Sequence, residues 1–535
     1  MQRFIPGLLL FLLLPACQEA HPPLRKAPPT DTIAAAWSAD EKGENYEEKG
    51  TPAADEKGES VDEERGEPTD EEKGDPADDG QGDGDTPHQS ESPAQSVDQL
   101  QVLREAVAPF LLAEEPAATP MEKESGRFGR KLFFDNRFSL NGEISCATCH
   151  QPDLVFTDGL PRSVGLEQLP FNAPTVVNTR FSQWLFWNGR KNSLDSQSVA
   201  PIEAHAEQGI SRGSLAQIMF HHYRSEYEAI FGPFPPVLVS LFNTMGNTRL
   251  HALPASLRVE MPADVAAFAL ETLRSDDLRQ ELENAAAAAG RTPVEQMAIV
   301  SDTGQHPPGW VASYEGLTAV QRQALDGVLI NWGKAVARYQ RNLVAVDSPF
   351  DRFAQKLQTA PTVRAAYVDG FGLREKRGFD LFTGKARCHF CHAGPAFTDN
   401  NFHNIGFGTF AAIQPGRAAG VELARRDPIN CPEESLGNPA FSVCSELAGL
   451  ENSMGLVGAF RTPSLRNVAA TAPYMHDGSL ADLATVIQRY NRLDTEPLIG
   501  NRNPFMAPLG LTEGEAEDLR SFLHSLNSAV RDLSL

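Results

Sequence analysis

The chain has 535 residues, of which 41% are hydrophobic and 22% charged, and it carries a formal net charge of −24 at pH 7. So acidic a balance argues against nucleic acid as a partner. No run of about 18 apolar residues occurs, which excludes a bundle of membrane-spanning helices.

The first residues read as an export signal. Met1-Gln2-Arg3 supplies a positive start and Leu8 to Leu14 an apolar stretch too short to span a bilayer, while Leu14-Pro15-Ala16-Cys17 resembles the lipobox of bacterial lipoproteins. Residues 1–17 are therefore expected to be removed up to an acylated Cys17, with an ordinary cleaved signal peptide as the alternative. Gln18 rather than Asp after that cysteine resembles lipoproteins of the outer membrane, so the expected location is the periplasm of a Gram-negative bacterium.

Residues 18–95 differ in kind. Between Asp40 and Asp85 there are 20 acidic and 5 basic residues, in a degenerate repeat with glycines at Gly43, Gly50, Gly58, Gly66 and Gly74. The spacing invites a coiled-coil reading, but a glycine in every repeat and almost no apolar residues exclude a buried seam. The tract is expected to be a disordered, self-repelling spacer, with a cation- or partner-binding tail as the alternative.

From about Asp98 the composition is that of a folded protein, with room for two or three domains. Apolar periodicity predicts helices over 97–112, 125–134, 215–231, 262–288, 318–343, 375–383, 480–489 and 512–526, and strand-like alternation is rare, so the fold class is all-α. Two pentapeptides carry the chemistry: Cys146-Ala147-Thr148-Cys149-His150 and Cys388-His389-Phe390-Cys391-His392. Cys-x-x-Cys-His is the attachment signature of c-type haem, in which two thiols bond the porphyrin and the adjacent imidazole becomes the proximal iron ligand. Each motif follows a short helix ending near Leu-Phe, which suggests two cytochrome-c-like haem domains, 96–345 and 346–535. Of the remaining cysteines, Cys431 and Cys444 flank a loop and could close a disulfide in an oxidising compartment, or stay as two thiols.

A wider set of motifs carries a family resemblance. Gly129-Arg130-Lys131-Leu132-Phe133-Phe134-Asp135, Phe156-Thr157-Asp158-Gly159, Asn172-Ala173-Pro174-Thr175, Phe186-Trp187-Asn188-Gly189-Arg190, Phe402-His403-Asn404-Ile405-Gly406, Phe460-Arg461-Thr462-Pro463-Ser464-Leu465-Arg466-Asn467 and Ala472-Pro473-Tyr474-Met475-His476-Asp477-Gly478 together resemble the bacterial di-haem cytochrome c peroxidases and their MauG-like relatives. The likeness runs from about residue 120 to the end and is broken mainly at about 232–318, an insertion in the N-terminal, peroxidatic domain. That insertion is read as decoration, with a partner surface as the alternative.

The resemblance implies roles for particular residues. Glu207 would be the acid/base that moves a proton between the oxygens of hydrogen peroxide, Gln197 would line the same pocket, and Trp187 would relay electrons between the haems. His205, beside Glu207, could instead be a distal ligand or a surface histidine. Peroxidases that need reductive activation have a blocking histidine sixteen residues after the proximal one; here that residue is Leu166, so the haem at His150 is expected to be open to peroxide. Opposite His392, fourteen residues after His476, stands Tyr490, where activatable peroxidases have Met and MauG-like enzymes Tyr. Met475 is the competing ligand. A calcium ion is likewise implied, held by Asn172 and the carbonyls of Thr471 and Pro473, although Phe171 stands where the family usually has Arg. The expected function is reduction of hydrogen peroxide by a C-terminal electron-transfer haem fed by a periplasmic small cytochrome c or cupredoxin. A MauG-like oxidation of residues on a partner protein is the first alternative, although Ala386 and Arg387 before Cys388 offer no counterpart of that enzyme's surface tryptophan. A non-catalytic electron-transfer cytochrome is the second.

Overall fold

The computed structural model describes residues 93–113, 118–246, 248–251, 258–302, 314, 316–407, 415–435 and 443–535. The export signal, Cys17 and the acidic tract lie outside the described residues. Within them the chain is helix-rich, with three short antiparallel two-stranded ladders, and no helix is long and apolar enough to cross a membrane.

Local chemistry sets the helix starts. Thr119, Thr318 and Thr512 each accept from the backbone N–H three residues on, while Glu122, Gln321 and Glu515 reach back to the cap, which satisfies donors that the first turn leaves unpaired. Two predicted helices are each divided. The segment 215–231 breaks at Tyr223, which leaves helical geometry between Arg212–His222 and Arg224–Phe231, and 262–288 breaks before Ser275, whose side chain caps a new helix at Leu278. Helices Leu194–Glu203, Pro236–Met245, Pro293–Ala298, Pro349–Leu357 and Arg417–Arg426 are additional to the predicted set.

Two large apolar clusters organise the molecule. Phe128, Leu132 and Phe133 of Pro120–Phe133 pack with Val199 and Ile202 of Leu194–Glu203 and with Trp332, Val336 and Tyr339 of Ala319–Asn342. This contact is close enough that a Cβ at Gly129 would overlap the Ala335 carbonyl. The second cluster joins Phe350 and Phe353 to Phe379, Phe382, Phe397 and Phe522. There Gly378 plays the same part, its Cβ position falling on the Asp518 carbonyl. Leu103, Val107 and Phe110 belong to this second cluster, so the helix Pro93–Val107, which opens the span read as N-terminal, packs with the C-terminal core.

The stretch read as decoration is built into both halves. Phe234, Leu238, Phe242 and Leu250 complete the first core. Met261, Val265, Ala266, Ala269 and Ala298 bury themselves against Ala418, Val457 and Ile499 of the second half, and Arg274 N–H donates to Leu498 O (2.9 Å) while Gly500 N–H donates to Thr272 Oγ1 (2.9 Å).

Both halves also repeat one sequence of turns. Phe156 and Phe397 stand in the left-handed region (φ 58° and 53°), as do Asn178 and Asn467 (both 60°), Phe186 and Met475 (64° and 75°), and Gly189 and Gly478 (68° and 63°). Helices Leu194–Glu203 and Leu483–Arg492 then follow in equivalent positions. Each half thus ends its turn series on a helix that can cover whatever its Cys-x-x-Cys-His segment holds.

Candidate functional site

The first motif forms one turn, Cys146–Cys149, capped by Ser145 and Thr148; the second is a short 3-10 turn, Cys388–Phe390. All four motif cysteines are free and half-buried. Burial pushes the Cys146 and Cys388 thiols up to about 12 and Cys149 upward too. The two histidines share one anchor, to which the Pro463 carbonyl adds a second contact at His392. His150 Nδ1 lies 3.1 Å from Phe156 O, and His392 Nδ1 lies 3.1 Å from Phe397 O. A carbonyl accepts only from N–H, so Nδ1 carries the proton and Nε2 presents its lone pair. Burial lowers both imidazoles below their usual range, which keeps them neutral and able to ligate a metal. The left-handed Phe residues, each costing about 1–3 kcal/mol of backbone strain, aim these carbonyls.

A buried carboxyl lies near the first pair of thiols. Glu207 is buried, its carboxyl raised by desolvation and opposed by the Arg190 guanidinium, and its charge is felt at both Cys146 and Cys149. Its backbone is clamped: Leu166 N–H donates to Glu207 O and Glu167 N–H to Ala206 O (both 3.0 Å), and a Cβ at Gly165 would strike Glu207. Leu166 therefore sits beside Glu207 with no atom able to ligate a metal. Gln197 Oε1 is buried without a hydrogen-bond partner. His205 points elsewhere: it is half-exposed, with Nε2 3.7 Å from Glu167.

Around His392 the setting differs. Tyr490 lies within electrostatic reach of Cys388 and Cys391, and burial raises its hydroxyl above the ordinary range. Phe407 packs edge-on against its ring at 5.2 Å. Met475 occupies the left-handed turn closed by Gly478 N–H to Met475 O (3.2 Å). His403, tied to Asp399 at 2.8 Å, braces the loop below the second motif, and that carboxylate together with the Cys391 thiol raises the imidazole to about 10.

Between the two motifs the halves are stitched through Trp187. Its Nε1–H donates to Asn172 O (2.9 Å), Asn172 N–H donates to His476 O (2.9 Å), and Arg461 N–H donates to Trp187 O (2.8 Å). Trp187 and His476 are thus two backbone-bridged steps apart, with His476 stacked on Phe460 at 3.8 Å and Phe171 edge-on to Phe460. Arg417 clamps the neighbouring turn, its guanidinium lying over Trp184 and Phe402 at 4.0 and 4.1 Å and donating to Gly189 O. Asn172 commits its Nδ2 to Leu160 O (2.8 Å), which leaves Oδ1 as the atom it can offer a cation. Cys431 and Cys444 are joined in a disulfide, Cα atoms 5.7 Å apart.

These residues fit haem. Two pairs of thiols each precede an imidazole with a free Nε2, and the buried polar atoms beside them lack protein partners. Arg461 is an example: it is buried, its Nε is unpartnered, and burial alone lowers its guanidinium to about 10. A buried cation without a carboxylate calls for an anion such as a haem propionate. Two features escape a reading from sequence alone. The Phe397 carbonyl is one, although Phe-Thr-Asp at 397–399 repeats 156–158; the roles of Arg190 and Arg461, cations inside otherwise apolar motifs, are the other.

Residues 123–255 match the family model of the di-haem cytochrome c peroxidases. The chain is 29% identical over 426 residues to methylamine utilization protein MauG of Methylorubrum extorquens, covering 78% of this chain and 83% of that protein. It is 25% identical over 417 residues to cytochrome-c peroxidase IdrP2 of Denitromonas iodatirespirans, covering 77% and 84%. With cytochrome c551 peroxidase of Nitrosomonas europaea it shares 22% identity over 397 residues, covering 72% and 80%.

Proposed function

Because the chain belongs to the di-haem cytochrome c peroxidase and MauG family, we propose that it is a periplasmic di-haem peroxidase that reduces hydrogen peroxide to two waters with two protons and two electrons. The electrons come from a small cytochrome c or cupredoxin. Cys146, Cys149 and His150 hold one haem c, and Cys388, Cys391, His392 and Tyr490 the other. The observation that carries the reading is a buried Glu207 beside the first pair of thiols, with Leu166 where a blocking ligand would stand.

A haem held by Cys146, Cys149 and His150 would supply the iron that polarises the O–O bond. The chain's own groups do the rest. Glu207 takes the proton from the nearer peroxide oxygen and delivers it to the farther one, which leaves as water. Gln197 holds that oxygen in line, and its unpartnered amide marks where a polar ligand belongs. Arg461 secures an acidic haem edge. Trp187, hydrogen-bonded from both halves, is the relay between them. Asn172 Oδ1 with the Thr471 and Pro473 carbonyls offers a hard oxygen site for Ca²⁺ across the same seam. The basic start, the apolar stretch and Cys17 support a lipid anchor in the outer membrane.

Tyr490, buried near Cys388 and Cys391, favours a second reading, in which a partner protein is the group oxidised, since a tyrosine ligand would favour the more oxidised states of a bound iron. Mixing the ferric protein with peroxide tests both. Rapid reaction that Glu207→Gln slows supports the peroxidase site; equal rates refute it, and two unreactive low-spin haems would leave only the electron-transfer cytochrome. Reaction products divide the first two readings: consumption of reduced donor marks one, and oxidised partner residues the other.

A further inference from the structure

Arginines in this chain grip carboxylates by one edge, and Arg502 offers that edge to no protein group. Arg212 meets Glu203 through Nε and Nη2 (2.8 and 2.6 Å), Arg377 meets Asp518 (2.6 and 2.9 Å), and Arg520 meets Glu517 (2.8 and 2.7 Å). In each pair the two parallel N–H groups of the side-on fork match the two oxygens of a carboxylate. In Arg502 the same two atoms are shut from solvent and have no hydrogen-bond partner, and no other arginine among the described residues combines both. Its Nη1 lies 4.0 Å from Glu496, which is 72% exposed and stays in water. The neighbouring carboxylates are engaged elsewhere, Asp399 by His403 and Asp494 by Arg489. A guanidinium fork buried in this way calls for an anion from outside the chain.

The surroundings of the fork lead to the second Cys-x-x-Cys-His motif. A Cβ at Gly406 would lie 3.0 Å from Nε and 3.2 Å from Nη2, so the fork faces a cradle that any larger residue would fill. Phe407, the next residue, packs on the Tyr490 ring. On the other side Asn503 Nδ2 meets His403 Nδ1 (2.7 Å), and the side-chain donor atoms of His403, Asp399 and Cys391 lie within 4.8 Å of one another. Two chains of contact thus start at Arg502, one ending on Tyr490 and the other on Cys391. The loop itself is pinned, as Asn404 Nδ2 donates to Ile499 O (2.8 Å) and Asn503 N–H to Asn404 O (2.7 Å). Arg461 brings a second buried, unpartnered Nε to the same segment, because Phe460–Arg461 pairs with Phe402–His403.

We infer that the Nε–Nη2 fork of Arg502 is a carboxylate site that takes a propionate of the haem held by Cys388, Cys391 and His392. The inference rests on the reading of that motif as a haem site. Haem brings two carboxylates of its own, which suits a segment flanked by two such guanidiniums; a free carboxylate anion is the other source of the same chemistry. By neutralising a propionate, Arg502 works against Tyr490: a tyrosine ligand favours the oxidised iron, and a nearby cation favours the reduced one. The segment 258–302 then has a part in the site, since Thr272 and Arg274 hold the loop that carries Arg502.

Redox-difference infrared spectroscopy of the haem-loaded protein, with the haem isotope-labelled at its propionate carboxyls, tests this alongside the midpoint potential of the haem at His392. Arg502→Gln should shift one label-sensitive carboxylate band and move the ferric–ferrous equilibrium at His392 about tenfold toward ferric, about 59 mV for one electron, with the haem at His150 unmoved. Arg502→Lys, which keeps the charge but loses the fork, should shift the same band and leave the potential near that of the wild type. Label-sensitive bands unmoved in Arg502→Gln overturn the inference. A potential that follows the acetate concentration of the buffer, with no label-sensitive band moving, overturns it too and puts a free carboxylate in the fork. If Arg502→Gln does not fold, unmoved bands in Arg502→Lys overturn it. Two attached haems by mass spectrometry, with unmoved bands, spare the haem reading of the second motif; a single haem, on Cys146 and Cys149 alone, sinks both.

Discussion

The surroundings of His150 and His392 are two versions of one scaffold, and they differ where chemistry is decided. Both imidazoles donate from Nδ1 to the carbonyl of a left-handed phenylalanine, and both motifs are followed by an equivalent turn and covering helix. Past the first helix the chain buries Glu207 within electrostatic reach of Cys146, Cys149 and Arg190, with Leu166 hydrogen-bonded beside it. Within the second helix it brings Tyr490 to the thiols, with Phe407 packed on the ring. The shared Nδ1 anchor therefore leaves much of the division of labour to a few distal side chains. The turns also exchange partners: a Cβ at Gly189 would hit Phe402 and Arg417 of the second half, and one at Gly478 would hit Pro161 of the first.

The largest effect should come from removing the group found only on the first side. Glu207→Gln is expected to slow the peroxide reaction by about 10²–10⁴-fold while the spectrum of the haem at His392 stays unchanged, as stopped-flow absorbance will show. Next is the seam. Gly189→Ala must both adopt a positive φ and displace Phe402 and Arg417, so it should cost about 2–4 kcal/mol in chemical denaturation. Gly142→Ala, at φ 72° with nothing within 4 Å, is the control and should cost about 1–2 kcal/mol.

The smallest effect tests the brace below His392. His403 has its folded pKa raised first by the hydrogen bond to Asp399 and then by the Cys391 thiol, so the Asp399 pair's stabilisation is complete below the unfolded histidine value of about 6.5 and is lost as pH rises through the raised folded value, about 10 with both partners in place. Asp399→Asn should therefore lower stability by about 1.5–3 kcal/mol near pH 6, with the deficit shrinking above pH 10. A deficit independent of pH would show that the contact is not an ion pair.

Much of this was legible in the residues. The two haem motifs, the long helix Ala319–Asn342 and the helices before each motif follow from short spacings and apolar periodicity, which are local signals. What was not legible depends on tertiary context. Leu194–Glu203 contains Pro201 and little amphipathic contrast, and Arg417–Arg426 buries the charged Arg417 and Glu422, Arg417 against Trp184 and Gly189 of the first half, so neither shows a helical stripe. The segment 258–302 looked dispensable because its small apolar residues find their partners, Ala418, Val457 and Ile499, more than a hundred residues away. Glu207 could be singled out only through a family spacing, since the burial and the Arg190 charge that set its chemistry are properties of the folded chain.

Electron paramagnetic resonance of the as-isolated ferric protein reads the asymmetry of the two proposed haem sites. One high-spin haem, open to peroxide at His150, and one low-spin haem at His392 are expected, with the low-spin signal lost in Tyr490→Phe. Two low-spin haems, or a low-spin signal that Tyr490→Phe leaves untouched, would contradict it.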